Sequence, residues 1–306
     1  PTAITTYTVV LSTAADFNAF ASSFAFSTAP AGSPSAAFAG LSANTTYYFR
    51  VQAVNHNGVE TAFVSLGSTI TLAAVPAAAA PPFGPVDIAS MTVSWLPNGN
   101  PVDVTTYSVV LSPGAAYPNA FAGNSALVST APAGASPAAS FTGLAANTTY
   151  FAFAAAQHAS GGRTSYVQLG STSTLADAPA AAAAAFSAVA ASSLTVSWSA
   201  AGNPLSITTY TVQLSTAADF NAFASSIVFS TAPAGAPAAS FKGLTGLTTY
   251  YFRVGAVNHN GVPSAFVDMG STQTLLISLP VPAVSILTQV GVSSITATWG
   301  LSAGAT

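Results

Sequence analysis

Three histidines and a recurring aspartate are the side chains of this sequence best suited to chemistry. His56 and His259 each sit in an Asn-His-Asn-Gly tetrapeptide, and His158 occupies the matching stretch of a diverged copy. A zinc site needs three or four ligands converging on one ion. These histidines are separated by 102 and 101 residues (158 − 56 and 259 − 158), and only Glu60, near His56, offers a second ligand of the right kind. They are read as turn residues. Asp16 and Asp219 repeat one another within Ala-Ala-Asp-Phe-Asn. Glycoside cleavage wants two carboxyls facing each other across a cleft, and one aspartate per copy gives no such pair. It braces a turn instead.

No Gly-x-Ser-x-Gly elbow and no phosphate-binding loop occurs in the chain. The expectation is a protein with no catalytic residue, no metal site and no cofactor, hence not an enzyme. Asn44-Thr45-Thr46 and Asn147-Thr148-Thr149 match the N-glycosylation sequon, which makes Asn44 and Asn147 the candidate glycan acceptors, beside O-linked sugar on the many serines and threonines.

Composition narrows the class of partner. Of the 306 residues, 51% are apolar and only 4% are charged, against about 25% charged in an ordinary soluble chain. Disorder requires the opposite balance of low hydrophobicity and high charge. Four basic residues and a net charge of -3 cannot build a phosphate-binding patch, so nucleic acid is set aside. Mean hydropathy is +0.56. Even so, Ser, Thr, Asn and Pro interrupt every apolar stretch well short of the roughly 18 residues that a helical span needs, and no membrane insertion is expected. Cysteine is absent, as an exported protein without disulfides allows. The sequence opens on Pro1 with no leader-like segment, so a signal peptide is expected to have been removed or to lie outside this segment.

The elements that would carry such residues come in copies. TTYTVVLSTAADFNAFASS at Thr5 recurs as TTYTVQLSTAADFNAFASS at Thr208, with a diverged TTYSVVLSPGAAYPNAFAG at Thr105. STAPAG appears at Ser27, Ser129 and Ser230. Trp95, Trp198 and Trp299 each end a short strand, with spacings of 103 and 101 residues (198 − 95 and 299 − 198). Each copy reads as short alternating strands between Gly, Pro, Asn and Ser turns, the pattern of a β sandwich. In Leu194-Thr195-Val196-Ser197-Trp198 every second side chain is large and apolar, so one face packs inward. The alanine-rich joints LAAVPAAAAPPFGPV from Leu72 and LADAPAAAAAAFSAV from Leu175 are expected to be extended linkers leading into the first strand, because a six-alanine run after Pro179 is too short to nucleate a helix.

These residues resemble the fibronectin type III family. The likeness lies in the strand-ending Trp95, Trp198 and Trp299 and in LSANTTYYFRVQAVNHNG from Leu41, LAANTTYFAFAAAQHASG from Leu144 and LTGLTTYYFRVGAVNHNG from Leu244. The resemblance implies an immunoglobulin-like sandwich in which Tyr47, Tyr150 and Tyr250 are corner tyrosines whose hydroxyls bond back to the chain. Ala43, Ala146 and Gly246 stand where the family usually has proline, and residues 16–26 make a longer connection than expected between strands C and E. The Arg-Gly-Asp adhesion tripeptide of some family members is missing; Gly161-Gly162-Arg163-Thr164-Ser165 is the nearest sequence.

The expected architecture is all-β: tandem fibronectin type III-like (immunoglobulin-like) β sandwiches, two complete modules plus a third split between the two chain ends. Residues 1–73 would be strands C to G of the split module, 74–176 and 177–277 complete modules, and 278–306 strands A and B of the next module. On this reading Trp299 supplies a strand whose hairpin partner begins at Ile4 of a following copy. A surface without charges makes little like-charge repulsion against itself, and split modules leave strand edges unpaired. The expected function is a structural subunit of an extracellular filament or surface fibre, partnered by copies of itself head to tail and laterally. The alternative is an adhesin stalk or the spacer modules of a secreted polysaccharide-degrading enzyme.

Overall fold

The computed structural model describes residues 5–18, 20–27, 34–115, 125–129, 137–205, 207–221, 223–230, 237–276 and 283–300. For 20–27, 125–129, 223–230, 283–286 and 299–300 the backbone alone is described. The Thr-Ala-Pro-Ala-Gly segments after Ser27, Ser129 and Ser230, together with Ile4 and the side chain of Trp299, lie outside the described residues. All regular structure in the described chain is β-strand. It divides into two compact units, residues 1–175 and 176–306.

The first unit opens with β1 (Thr6–Ser12), β2 (Phe20–Ser27), β3 (Thr46–Val54) and β4 (Val64–Ile70). They form one antiparallel sheet in the order β2-β1-β3-β4. Next come β5 (Ala77–Val86), β6 (Ser90–Leu96), β7 (Thr106–Ser112), β8 (Ser125–Ser129), β9 (Ala138–Thr142), β10 (Thr149–Ala156) and β11 (Val167–Ser173). These make two sheets, β5-β6-β9 and β11-β10-β7-β8. The sequence period explains why they close on one another. Met91, Val93 and Trp95 alternate along β6, and Tyr107, Val109 and Leu111 along β7, so each sheet has one apolar face. All six are at most 1% exposed.

The second unit repeats this plan with β12 (Ala180–Ser187), β13 (Ser193–Ser199), β14 (Thr209–Ser215), β15 (Phe223–Ser230), β16 (Ala238–Lys242), β17 (Thr249–Val257) and β18 (Val267–Gln273). Its sheets are β12-β13-β16 and β15-β14-β17-β18, enclosing Leu194, Val196, Trp198, Tyr210, Val212 and Phe252. A two-stranded hairpin of β19 (Ala283–Thr288) and β20 (Thr296–Gly300) follows.

The alanine runs differ from the linkers read in the sequence. They are the first strands themselves: Ala77 and Ala78 pair with Leu96 and Trp95, and Ala180 and Ala181 with Ser199 and Trp198. A sheet edge supplies hydrogen-bond partners that outweigh the weak strand preference of alanine. After the alanines, each strand breaks register and resumes at Phe83↔Val93 or Phe186↔Val196.

Candidate assembly interface

The corner tyrosines fix one end of each sandwich. The hydroxyls of Tyr47, Tyr150 and Tyr250 accept the backbone N–H of Ser42, Ala145 and Thr245 at 2.9, 3.0 and 3.0 Å. Each turn also places an asparagine or leucine at positive φ: Asn44 at 48°, Asn147 at 43° and Leu247 at 55°. Asparagine tolerates this region better than most residues.

Asn44 uses that conformation to hold the next sandwich. Its Nδ2 donates to Thr105 Oγ1 at 3.2 Å and to the Gln157 carbonyl at 3.3 Å, while its Oδ1 accepts the Ala159 N–H at 2.9 Å. Further along the chain, the Ala73 N–H donates to His158 Nδ1 at 2.9 Å. His158 therefore belongs to a joint. It aligns with Asn55 and Asn258 at the start of the turns that follow β3, β10 and β17, since its own N–H reaches the Gly162 carbonyl as Asn55 and Asn258 reach those of Val59 and Val262. His56 and His259 fall one residue later and are exposed.

This geometry corrects the glycan expectation. Asn44 is 3% exposed with both of its amide atoms engaged, and Asn147 is 0% exposed. A sugar on Nδ2 of Asn44 would displace the bonds to Thr105 and Gln157. The sequon here is the buried corner turn, so it does not fit a glycan in the folded chain.

Two further asparagines, absent from the sequence reading, clamp the chain where each complete sandwich begins. Asn100 Oδ1 accepts the Ala74 N–H at 2.8 Å, and its Nδ2 donates to the carbonyls of Ala74 and Pro97 at 2.8 and 2.7 Å. Asn203 does the same to Asp177 and Ala200, at 2.8, 2.7 and 2.8 Å. The repeated Gly-Asn-Pro at 99–101 and 202–204 was the available signal.

The recurring aspartates brace turns. Asp16 and Asp219 each accept the N–H of the asparagine two residues on at 3.1 Å, and its side-chain amide as well. The turn lays Phe17 and Phe220 over arginines. The Arg50 guanidinium lies 4.2 Å from the Phe17 ring and 4.3 Å from Phe63, and that of Arg253 lies 4.3 Å from Phe220 and 4.8 Å from Phe266. With the Arg163 guanidinium 4.9 Å from the Tyr166 ring, three of the four basic residues thus lie against aromatic faces. Among the described residues, no three His, Asp or Glu side chains gather as a metal site would require.

The remaining feature is a partly covered apolar face. On the β1–β3 sheet, Tyr7, Val9, Phe38, Phe49, Val51 and Leu66 line an open groove of about 620 Å³. Leu66 is 60% exposed, whereas its counterparts Leu169 and Met269 are 4% and 3% exposed. In both complete sandwiches this face is covered by the three-stranded sheet. On the hairpin β19-β20, Leu287, Val290 and Ile295 are exposed at 66%, 72% and 63%.

A two-sheet sandwich with a corner tyrosine defines the class of each complete module, and a family model matches one of them. Residues 177–268 match the family model of the fibronectin type III domain. Residues 74–176 repeat the sheet order of that matched module. Such domains are commonly structural or adhesion-related and typically non-catalytic. Among solved structures the chain is similar to a two fibronectin type III domain segment from chicken tenascin, at 16% identity and a TM-score of 0.42, covering 66% of this chain and 100% of that one. It is also similar to the chicken CNTN1 FN1-FN3 domains, at 16% identity and a TM-score of 0.26, covering 76% and 79%. No curated protein matches the chain. Among the described residues, no helix is long and apolar enough to cross a membrane.

Proposed function

We propose that this chain is a structural subunit of an extracellular filament or surface fibre, joined head to tail by completion of fibronectin type III-like sandwiches. The observation that carries this reading is a chain of tandem sandwiches in which only 4% of residues are charged. On the β1–β3 sheet Tyr7, Phe49 and Val51 are half-buried and Leu66 is exposed, at positions that both complete sandwiches bury. An exposed apolar groove of this kind marks an interaction site. A contact between one end of a copy and the opposite end of the next does not close on itself, so it propagates into a fibre. The near-absence of charge supports close self-contact, since little desolvation or like-charge repulsion opposes it.

Electron microscopy of the purified chain over a concentration series tests this. Elongated assemblies that lengthen with concentration are expected. Particles that stay monomeric at every concentration overturn the reading.

A further inference from the structure

The outer side of the β5-β6-β9 sheet carries a shallow groove of about 240 Å³, lined by Asp87, Ser90, Thr92, Ser140 and Thr142 and flanked by Pro85. Strand alternation gathers the hydroxyls there. Met91 and Val93 of β6 and Phe141 of β9 enter the core, so Ser90, Thr92, Ser140 and Thr142 fall on the opposite face. The register sets Ser90 against Thr142 and Thr92 against Ser140. The result is a two-by-two tile of hydroxyl residues, about 5 Å apart across the strands and about 7 Å apart along them. Within it, Thr92 Oγ1 and Ser140 Oγ share a hydrogen bond of 3.0 Å.

A turn held on three sides places the carboxylate. The Asp87 N–H donates to the Ser90 carbonyl at 2.8 Å, the Leu144 N–H to the Ala89 carbonyl at 3.0 Å and the Leu175 N–H to the Asp87 carbonyl at 3.1 Å. Asp87 is exposed, and its Oδ1 accepts the Ile88 N–H at 2.8 Å. Its Oδ2 and the Ser90 hydroxyl have no partner among the described residues. The second complete sandwich builds the same turn, with Ala190 to Ser193 at 2.8 Å, Leu244 to Ser192 at 3.0 Å and Leu275 to Ala190 at 3.1 Å. Its tile keeps Ser193, Thr195 and Ser240, but Ala190 stands in place of Asp87 and Lys242 in place of Thr142. One backbone thus carries two different linings.

The lining of the first sandwich selects a class of ligand. An apolar guest would strip water from the hydroxyls and return no hydrogen bond. An anion would meet the Asp87 carboxylate with no Lys or Arg in the groove to offset it. Calcium sites draw on several carboxylates, and Asp87 is the only one here. A neutral polyhydroxylated ring matches on every count. Its hydroxyls can donate to Asp87 Oδ2 in a charge-assisted bond and exchange donor and acceptor roles with Ser90, Thr92 and Ser140, while its C–H face rests on Pro85. We propose that this groove of the first complete sandwich binds a neutral saccharide, one sugar ring at a time, and that the second sandwich does not. The site lies wholly within one sandwich, so it goes beyond the fibre reading and does not depend on it.

Amide chemical shifts of the isotope-labelled full chain test this, with cellotriose, maltotriose and mannotriose as the probes and glycerol as the control for a general polyol effect. With at least one trisaccharide, saturating shifts are expected at the amides of Asp87, Ser90, Thr92, Ser140 and Thr142. None is expected at Ala190, Ser193, Thr195, Ser240 or Lys242. Asp87→Asn keeps the size of the side chain and removes its charge, and should weaken binding about tenfold. The double variant Asp87→Ala/Thr142→Lys gives the groove the lining that the second sandwich already folds with, and should abolish the response. The proposal is overturned if no trisaccharide gives a saturating shift, if glycerol reproduces the shifts, if both sandwiches respond alike, or if either variant binds as tightly as the parent chain.

Discussion

Trp95 and Tyr107 stand edge to face with ring centroids 5.4 Å apart and planes at 61°, and Trp198 and Tyr210 repeat both values. The same pair of residues therefore bridges the two sheets of each complete sandwich, with the tryptophan from the second strand and the tyrosine from the third. Removing the larger partner leaves a cavity that a close-packed interior cannot collapse. Trp95→Ala and Trp198→Ala are each expected to lower the stability of their own unit by about 3–5 kcal/mol. Urea unfolding, followed separately for each unit, checks this.

Loss of a corner hydroxyl should cost less. Tyr150→Phe keeps the ring and leaves the Ala145 N–H without its acceptor, so a loss of about 0.5–1.5 kcal/mol is expected. The matching Tyr250→Phe should cost a similar amount through the Thr245 N–H. Thermal unfolding midpoints of the two variants provide the comparison.

Asn44→Ala should loosen the joint within residues 1–175 while leaving the sheets intact. It strips the acceptor from the Ala159 N–H and the donor from the Gln157 carbonyl, at about 0.5–1.5 kcal/mol for part-buried hydrogen bonds lost. Amide hydrogen exchange is the measurement. Exchange at Ala159 and Ala73 should accelerate by at least tenfold, with the strands β7 and β10 unchanged.

Burial pushes the hydroxyls of Tyr107 and Tyr210 above the ordinary tyrosine value of 10.0. The folded state thus holds these protons more tightly than the unfolded state. Stability from this source is complete below the ordinary tyrosine value and is lost as pH rises through the raised folded value. Urea midpoints measured from neutral to strongly alkaline pH should fall only at the alkaline end. In a Tyr107→Phe/Tyr210→Phe chain that fall should be shallower.

Much of the fold was legible because its signals are local. Alternation in Leu194 to Trp198 marks a strand with one buried face, and the Asn-Gly pairs at 57–58 and 260–261 mark tight turns. The joint was not legible. Asn44 meets Gln157 and Ala159 across 113 and 115 residues of sequence, and no local pattern announces such a meeting. The sequon in Asn44-Thr45-Thr46 pointed outward toward a glycan, because the motif reads the same whether the turn is exposed or buried. The alanine runs misled for a related reason: strand preference in alanine is weak, and only the neighbouring strand decides the outcome. The repeated Ala-Ala-Asp-Phe-Asn suggested a braced turn, yet its second purpose, carrying a ring to Arg50 or Arg253, needed the third dimension.

The bonds of Asn44 to Thr105, Gln157 and Ala159, and that of Ala73 to His158, are made by amides, a hydroxyl, carbonyls and an imidazole nitrogen, with no carboxylate or ammonium among them. Dissolved ions weaken attractions between full charges and leave contacts of this kind nearly untouched. A tether so constructed keeps the same grip in brine as in rainwater.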